Sequence, residues 1–210
     1  MAIGIPKVFF SSSLTKQAEK PLAEQWVDIY DYFYLYKIIF LSDLLDAEQS
    51  NKIIAILLYL ENEEASISRD TSSIKMYLNC YGYEIGAVLS LIEILLSIGL
   101  KTRVSTLCLG FVGGCASVLL AAGSSKERAA FQNSRITLEQ PTKPKIFRQA
   151  TDIAIHHNYF VKQFDRLLHF YSSLTSQKKE KIKKDCERKV WFSAHEAQKY
   201  NLIDKIIYNA

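Results

Sequence analysis

The chain has 210 residues, 49% of them apolar and 12% aromatic, which is enough material for one domain core and too much for a disordered polymer. Its formal charge of +4 comes mainly from one run, Lys178-Lys179-Glu180-Lys181-Ile182-Lys183-Lys184, which on a helix makes a solvated face rather than a nucleic-acid surface. The cysteines Cys80, Cys108, Cys115 and Cys186 form no CxxC pair and no disulfide-ladder spacing, so they point to a reducing compartment. The opening MAIGIPKVFF has neither the basic and long apolar regions of a secretory signal nor the Arg/Ser-rich profile of a transit peptide. The expectation is a chain made where it works, or one whose presequence has been removed.

In chain order, the aromatic-rich stretch from Gln25 to Lys37 reads as a helix and IIFLS (38–42) as a short strand. Asp46 with Gln49 makes a capping-box-like start, and the helix it opens runs through IIAILLYL to about Leu60. IKMYLN (74–79) is a second strand, ended by Tyr81-Gly82. Ile85 to Ile98 is an apolar helix holding a single acid, Glu93, which reads as a group that reaches a partner at a subunit contact. RVSTLCLG is a third strand, and it runs into CLGFVGGCASVLLAAG (108–123). Val104 to Gly123 is twenty residues without a charge, long enough for a membrane span. Its β-leaning first half and central glycines instead predict a buried strand, a tight turn and a buried helix. RITLEQ (135–140) alternates like a strand and stops at Pro141.

Strands alternating with helices imply an α/β fold of parallel strands with right-handed crossovers, and the apolar strands imply a sheet covered on both faces. PTKPK then breaks the pattern. Across 146–174, apolar residues at Ile153, Phe160, Phe164, Leu167, Tyr171 and Leu174 mark a long amphipathic helix. At 1.5 Å per residue it spans about 40 Å, so it is expected to project and to need a partner for its apolar face. Ser193 and Glu196 form a second capping box, opening a short helix before a last strand in LIDKIIY. No internal repeat is visible.

Several of these stretches together resemble the proteolytic subunit of the Clp protease, the ClpP family, over nearly the whole length. IGIPKV and WVDIYDYFYLYKIIFL are similar to that family's opening strand and first helix, and LDAEQSNKIIAILLYL to its next helix. YLNCYG stands where the family has a strand ending in Asn-Ser-Pro-Gly-Gly. RQATDIAIHH resembles the start of the family's long handle helix, and FSAHEAQKYNLID its C-terminal signature. The resemblance implies a crotonase-like spiral head, here residues 1–141 plus 176–210, with residues 142–175 forming a handle for contact between rings. It implies other Clp proteolytic subunits as partners in a two-ring tetradecamer, and an AAA+ chaperone that uses the ATP. This chain would need no cofactor, nucleic acid or membrane span. The N-terminal wording and the Ile/Lys/Tyr/Asn-rich composition look most like a plastid-encoded member, which places the protein in the chloroplast stroma.

Serine peptidase chemistry needs an exposed hydroxyl, an imidazole to take its proton and a carboxylate to orient the imidazole. The resemblance carries these roles to Gly114, Glu139 and Lys189, none of which has the required chemistry. It carries the oxyanion hole to Tyr83 and Cys115, and an aromatic of the chaperone-docking cleft to Tyr77. Lys75 stands where that cleft often has Tyr. Cys115, one step from the nucleophile position at an expected helix N-terminus, is a candidate thiolate without an aligned base. Ser117 is expected to face the core. His156, His157, His169 and His195 fall on the long helix and the C-terminal helix. Glu139 and Lys189 would occupy the positions of a touching pair and are expected to form an ion pair.

The leading reading is a Clp core subunit that does not cleave peptide bonds itself, similar to the family's ClpR members. A relocated serine or cysteine nucleophile, an acyl-CoA enzyme using Glu93 or Glu139, and a decayed paralogue that no longer assembles are the alternatives.

Overall fold

The computed structural model describes residues 6–10, 25–66, 73–141 and 149–208. It opens with a two-stranded antiparallel sheet, β1 (Lys7–Phe10) against β2 (Gln25–Asp28), followed by the short helix α1 (Ile29–Leu35). The aromatic stretch from Gln25 is therefore strand first and helix second, not a single helix. Its strand half pairs with distant residues, and Trp26 meets Phe9 edge-on at 5.5 Å, a contact that no local periodicity reveals.

Four units follow, each laying one strand in each of two sheets and then a helix. They are β3 (Ile38–Leu41), β4 (Leu44–Leu45) and α2 (Ala47–Ser66); β5 (Ile74–Leu78), β6 (Tyr81–Gly82) and α3 (Ile85–Gly99). Next come β7 (Val104–Cys108), β8 (Phe111–Gly114) and α4 (Ser117–Ala121), then β9 (Arg128–Phe131), β10 (Arg135–Leu138) and α5 (Ala150–Thr175). The chain closes with α6 (Lys179–Glu187), β11 (Val190–Ser193), α7 (Ala194–Lys199) and β12 (Lys205–Ile207). One sheet has the order β12-β9-β7-β5-β3 and is parallel throughout; the other has the order β11-β10-β8-β6-β4, antiparallel only at β10–β11.

The α/β class and its parallel strands match the expectation, but the repeating unit is strand–strand–helix. The second strands are too short to alternate visibly, and β9 was not anticipated. Gly113 and Gly114 end β8, between β6 and β10, and Gly114, at φ 60°, leads into the expected tight turn at Cys115-Ala116 before α4. A side chain at Gly113 would meet the Phe111 ring and come within 2.7 Å of the Thr137 hydroxyl, so the strand needs glycine there. Residues 104–123 are thus two strands and a short helix, and among the described residues no helix is long and apolar enough to cross a membrane.

Packing follows from the apolar faces. α3 buries Ile85, Val88, Leu91, Ile92, Leu95 and Ile98, while Glu93 is turned to solvent. Each such side chain contributes about 1.5–3 kcal/mol by leaving water. α4 is buried at every position. The Asp46 carboxylate accepts from the Gln49 amide at 2.8 Å, and the Ser193–Glu196 capping box is complete. The helix opened at Asp46 extends past Leu60 to Ser66.

The amphipathic helix is α5, and residues 146–148 of its expected span lie outside the described residues. Phe164, Leu167, Leu168 and Tyr171 in its second half are buried, whereas Ile153, Ile155 and Val161 in its first half are exposed. Lys179, Lys181, Lys183 and Lys184 surround α6, whose Ile182 and Cys186 face the core. The basic run is therefore one face of a packed helix.

A polar hub escaped the sequence reading. Arg128, at the start of β9 and 6% exposed, holds both Asp204 oxygens and donates to the carbonyls of Ala121, Leu174 and Asn201. One side chain thereby ties β9 to α4, α5 and the approach to β12. Arg128 holds the Asp204 carboxyl below the usual carboxylate range by hydrogen bonding and charge.

Candidate functional site

β6, β8 and β10 run side by side, with Tyr81 paired to Gly113 and Gly82 to Gly114. Their C-terminal ends, together with the α6–β11 junction, bring Gly114, Glu139 and Lys189 into one neighbourhood. Lys189 Nζ lies 3.4 Å from Glu139 Oε1, so the ion pair expected from the sequence is present. It is loose: Glu139 Oε1 is buried and makes no hydrogen bond. Lys189 also stands over two aromatic faces, 4.9 Å from the Trp191 ring centre and 5.6 Å from that of Tyr81.

Gly114 keeps the left-handed backbone, φ 60°, of a sharp turn. A side chain there would come within 2.5 Å of the Gly82 carbonyl oxygen and 3.2 Å of the Tyr81 ring. The space where a nucleophile would stand is thus filled by the preceding unit's backbone and by Tyr81. Tyr81 stacks on Phe111, centres 6.5 Å apart with planes at 10°, and Phe111 meets Trp191 at 5.7 Å. Burial and the neighbouring Glu139 carboxylate push the Tyr81 phenol up to about 12, so it stays neutral at physiological pH.

An oxyanion hole needs amide N–H groups aimed at a vacant spot. The Cys115 amide instead donates to the Gly82 carbonyl at 3.2 Å, and the Gly114 amide donates to the Thr137 hydroxyl at 3.3 Å. Tyr83, the other expected donor position, is exposed.

The candidate replacement nucleophiles are sealed. Cys115 is fully buried, and burial, reinforced by Cys186 and Glu139, pushes its thiol up to about 12. The expectation that a helix N-terminus would favour its thiolate is corrected: desolvation in this interior outweighs any dipole from so short a helix. Ser117 faces the core as expected, its Oγ 2.9 Å from the Gly114 carbonyl and 2.6 Å from the Tyr171 hydroxyl. Among the described residues no histidine is hydrogen-bonded to Cys115 or Ser117. The histidines sit on α5 and α7, and among the described residues no group of His, Cys, Asp and Glu has the arrangement of a metal site.

Tyr77 is half-buried on β5, on the sheet side opposite Ile74, Met76 and Leu78. In register it lies between Phe40 and Leu107, forming an apolar row across three strands. Lys75 shares that side and is exposed.

Against this geometry, the family model described as Clp protease matches residues 21–210. The chain belongs to the Clp protease family. The two sheets and their helices fit the ClpP-type fold. The chain is 35% identical over 184 residues, 88% of each chain, to ATP-dependent Clp protease proteolytic subunit 3 of Synechococcus sp. (strain CC9902). It is 34% identical over 207 residues, 99% of this chain and 98% of the relative, to ATP-dependent Clp protease proteolytic subunit 1 of Gloeobacter violaceus. The ATP-dependent Clp protease proteolytic subunit of Bigelowiella natans is 34% identical over 210 residues, the full length of both chains.

Sequence reasoning placed Gly114, Glu139 and Lys189 in this Clp-family fold but missed what occupies the gap between them. The available signal was Tyr81-Gly82-Tyr83, two aromatics flanking one glycine where a turn of small residues was expected.

Proposed function

We propose that this chain is a non-catalytic, ClpR-like subunit of a Clp proteolytic core. Its role is to complete a mixed ring, shape the degradation chamber and hold catalytic neighbours in place. The observation that carries the reading is the closed site: Tyr81 and the Gly82 carbonyl stand where a serine side chain would project, and the Cys115 amide is already bonded to that carbonyl. A substrate carbonyl would have to break that hydrogen bond before any oxyanion could be stabilised.

Assembly does not depend on the lost chemistry. The exposed apolar first half of α5 supports a handle, formed from residues 142–175, that meets a second ring in a two-ring tetradecamer, with 1–141 and 176–210 as the head. The row of Phe40, Tyr77 and Leu107 supports docking of an AAA+ chaperone, which would supply ATP hydrolysis from its own chain; Lys75 weakens that contact relative to an aromatic. The full-length likeness to a Bigelowiella natans subunit, the cyanobacterial relatives and the Ile/Lys/Tyr/Asn-rich composition favour the plastid stroma.

The test is co-expression with a catalytic Clp subunit, followed by purification through a tag on this chain and labelling with a fluorophosphonate and a thiol-directed probe. The expected result is a ring-sized complex in which only the catalytic subunit is labelled. Labelling of Cys115 or Ser117 would overturn the non-catalytic reading. A tagged chain that emerges alone would favour a decayed paralogue.

A further inference from the structure

The first half of α5 carries a second apolar stripe besides the one that anchors the helix to the head. Ile155 and Tyr159 are 67% and 54% exposed, and Asp152 and Lys162 beside them are exposed as well. At about 100° per residue the four fall within roughly 80° of the helix circumference, on the side away from the buried Phe164, Leu168 and Tyr171. Among the described residues neither Asp152 nor Lys162 forms an ion pair.

This stripe reads alike from either end. Asp152 stands five residues before His157 and Lys162 five after it, while Ile155 stands two before it and Tyr159 two after. Two copies of the helix, laid antiparallel about a twofold axis level with His157, would set Ile155 on Tyr159 of the other copy and Asp152 on its Lys162. A twofold makes each such contact twice, so opposite charges and apolar side chains meet on both sides of the axis. His157 marks only the level of the axis, because its own side chain lies across the helix from the stripe.

Neighbouring registers fit worse. A shift of the axis by half a turn in either direction would set Tyr159 on Thr151 or Ile155 on Gln163, trading an apolar contact for a polar one. Arg166, also on this side, lies past the end of the overlap, because α5 begins at Ala150. A different subunit would have to bring the complementary pattern, whereas this helix supplies both halves itself.

We propose that this face of α5 docks a second copy of this chain, antiparallel about a twofold axis level with His157, so that where two rings meet this subunit stands opposite itself. The inference rests on the reading of α5 as a contact between rings and adds which subunit it meets there. Exposed ion pairs are individually weak, so the pairing chooses partner and register while the wider ring contact supplies affinity.

The test uses two differently tagged versions of the full chain, Ile155→Cys in one and Tyr159→Cys in the other, co-expressed with a catalytic Clp subunit and treated with a short bismaleimide. The native cysteines are buried, so the introduced, exposed thiols react first. The expected product is a cross-linked dimer carrying both tags, while Glu48→Cys in one version with Lys52→Cys in the other, on α2, should give none. Asp152→Lys in both versions should lower the yield about threefold or more, and adding Lys162→Asp to both should restore it, because the swap recreates the pairing only when the same chain stands on both sides. A ring complex without the two-tag dimer, equal yield from the α2 pair, or a swap that fails to restore the yield would overturn the proposal. If the chain emerges without the catalytic subunit, the same cross-link is read on the chain alone. Its presence there keeps the pairing and removes the core-subunit reading, and its absence removes both.

Discussion

Two ion pairs tie late parts of the chain to earlier ones, and they are built differently. At Arg128–Asp204 the charged atoms are 2.7 Å apart, and the guanidinium also donates to the carbonyls of Ala121, Leu174 and Asn201. At Lys189–Glu139 they are 3.4 Å apart, Lys189 is 39% exposed, and Glu139 Oε1 has no hydrogen bond. The first is a saturated structural clasp. The second brings opposite charges together without the hydrogen bonds that make a buried pair strong. The framework is finished in detail where it holds sheets and helices together, and only roughly finished around Glu139.

The sharpest way to break this contrast is Arg128→Ala. It leaves Asp204 and the three carbonyls without their donor, and a loss of about 3–5 kcal/mol is expected, lowering the melting temperature by roughly 10 °C. The same clasp predicts an acid dependence. Because the folded-state pKa of Asp204 is depressed, its contribution is complete above the unfolded carboxylate range and is lost as pH falls through the folded value. Asp204→Asn should flatten the melting temperature's dependence on pH below about 4.

Gly114→Ser comes next. The left-handed backbone and the 2.5 Å approach to the Gly82 carbonyl should cost about 1–3 kcal/mol, with no gain of peptidase activity on a fluorogenic peptide. Measurable turnover by that single variant would show that the Tyr81 plug yields easily. The smallest effect belongs to Lys189→Gln, expected to change stability by less than about 1 kcal/mol in a denaturant titration. A loss as large as that of Arg128→Ala would erase the distinction between the two pairs.

Much of the framework was legible because it rests on local signals. Apolar runs gave β3, β5 and β7, the spacing of Phe164, Leu167 and Tyr171 gave α5, and Ser193 with Glu196 gave the start of α7. The two-residue strands β4 and β6 were illegible, since they are defined by neighbours rather than by their own pattern. Around the site, the resemblance to the Clp family was enough to expect Glu139 and Lys189 together. It could not show the Tyr81 ring against Gly114 or the Cys115 amide bonded to Gly82, because both depend on how one unit nests against the next. The thiolate expectation at Cys115 failed for a related reason: burial depth is a property of the whole packed interior. No local pattern marks Arg128 as buried, because its partners Asp204 and Leu174 lie 76 and 46 residues away.

The Arg128 clasp also bears on the order in which the molecule is made. Asp204 lies 76 residues beyond Arg128, and β12, the strand that completes the sheet against β9, follows directly after it. At ordinary synthesis rates of about 5–20 residues per second, Arg128 waits roughly 4–15 seconds for its counter-charge. Through that interval the nascent sheet has an open edge at β9 and an unneutralised arginine beside it. This side of the sheet is therefore closed by a piece made well after the strand it covers, and folding helpers that shield strand edges would matter most in those seconds.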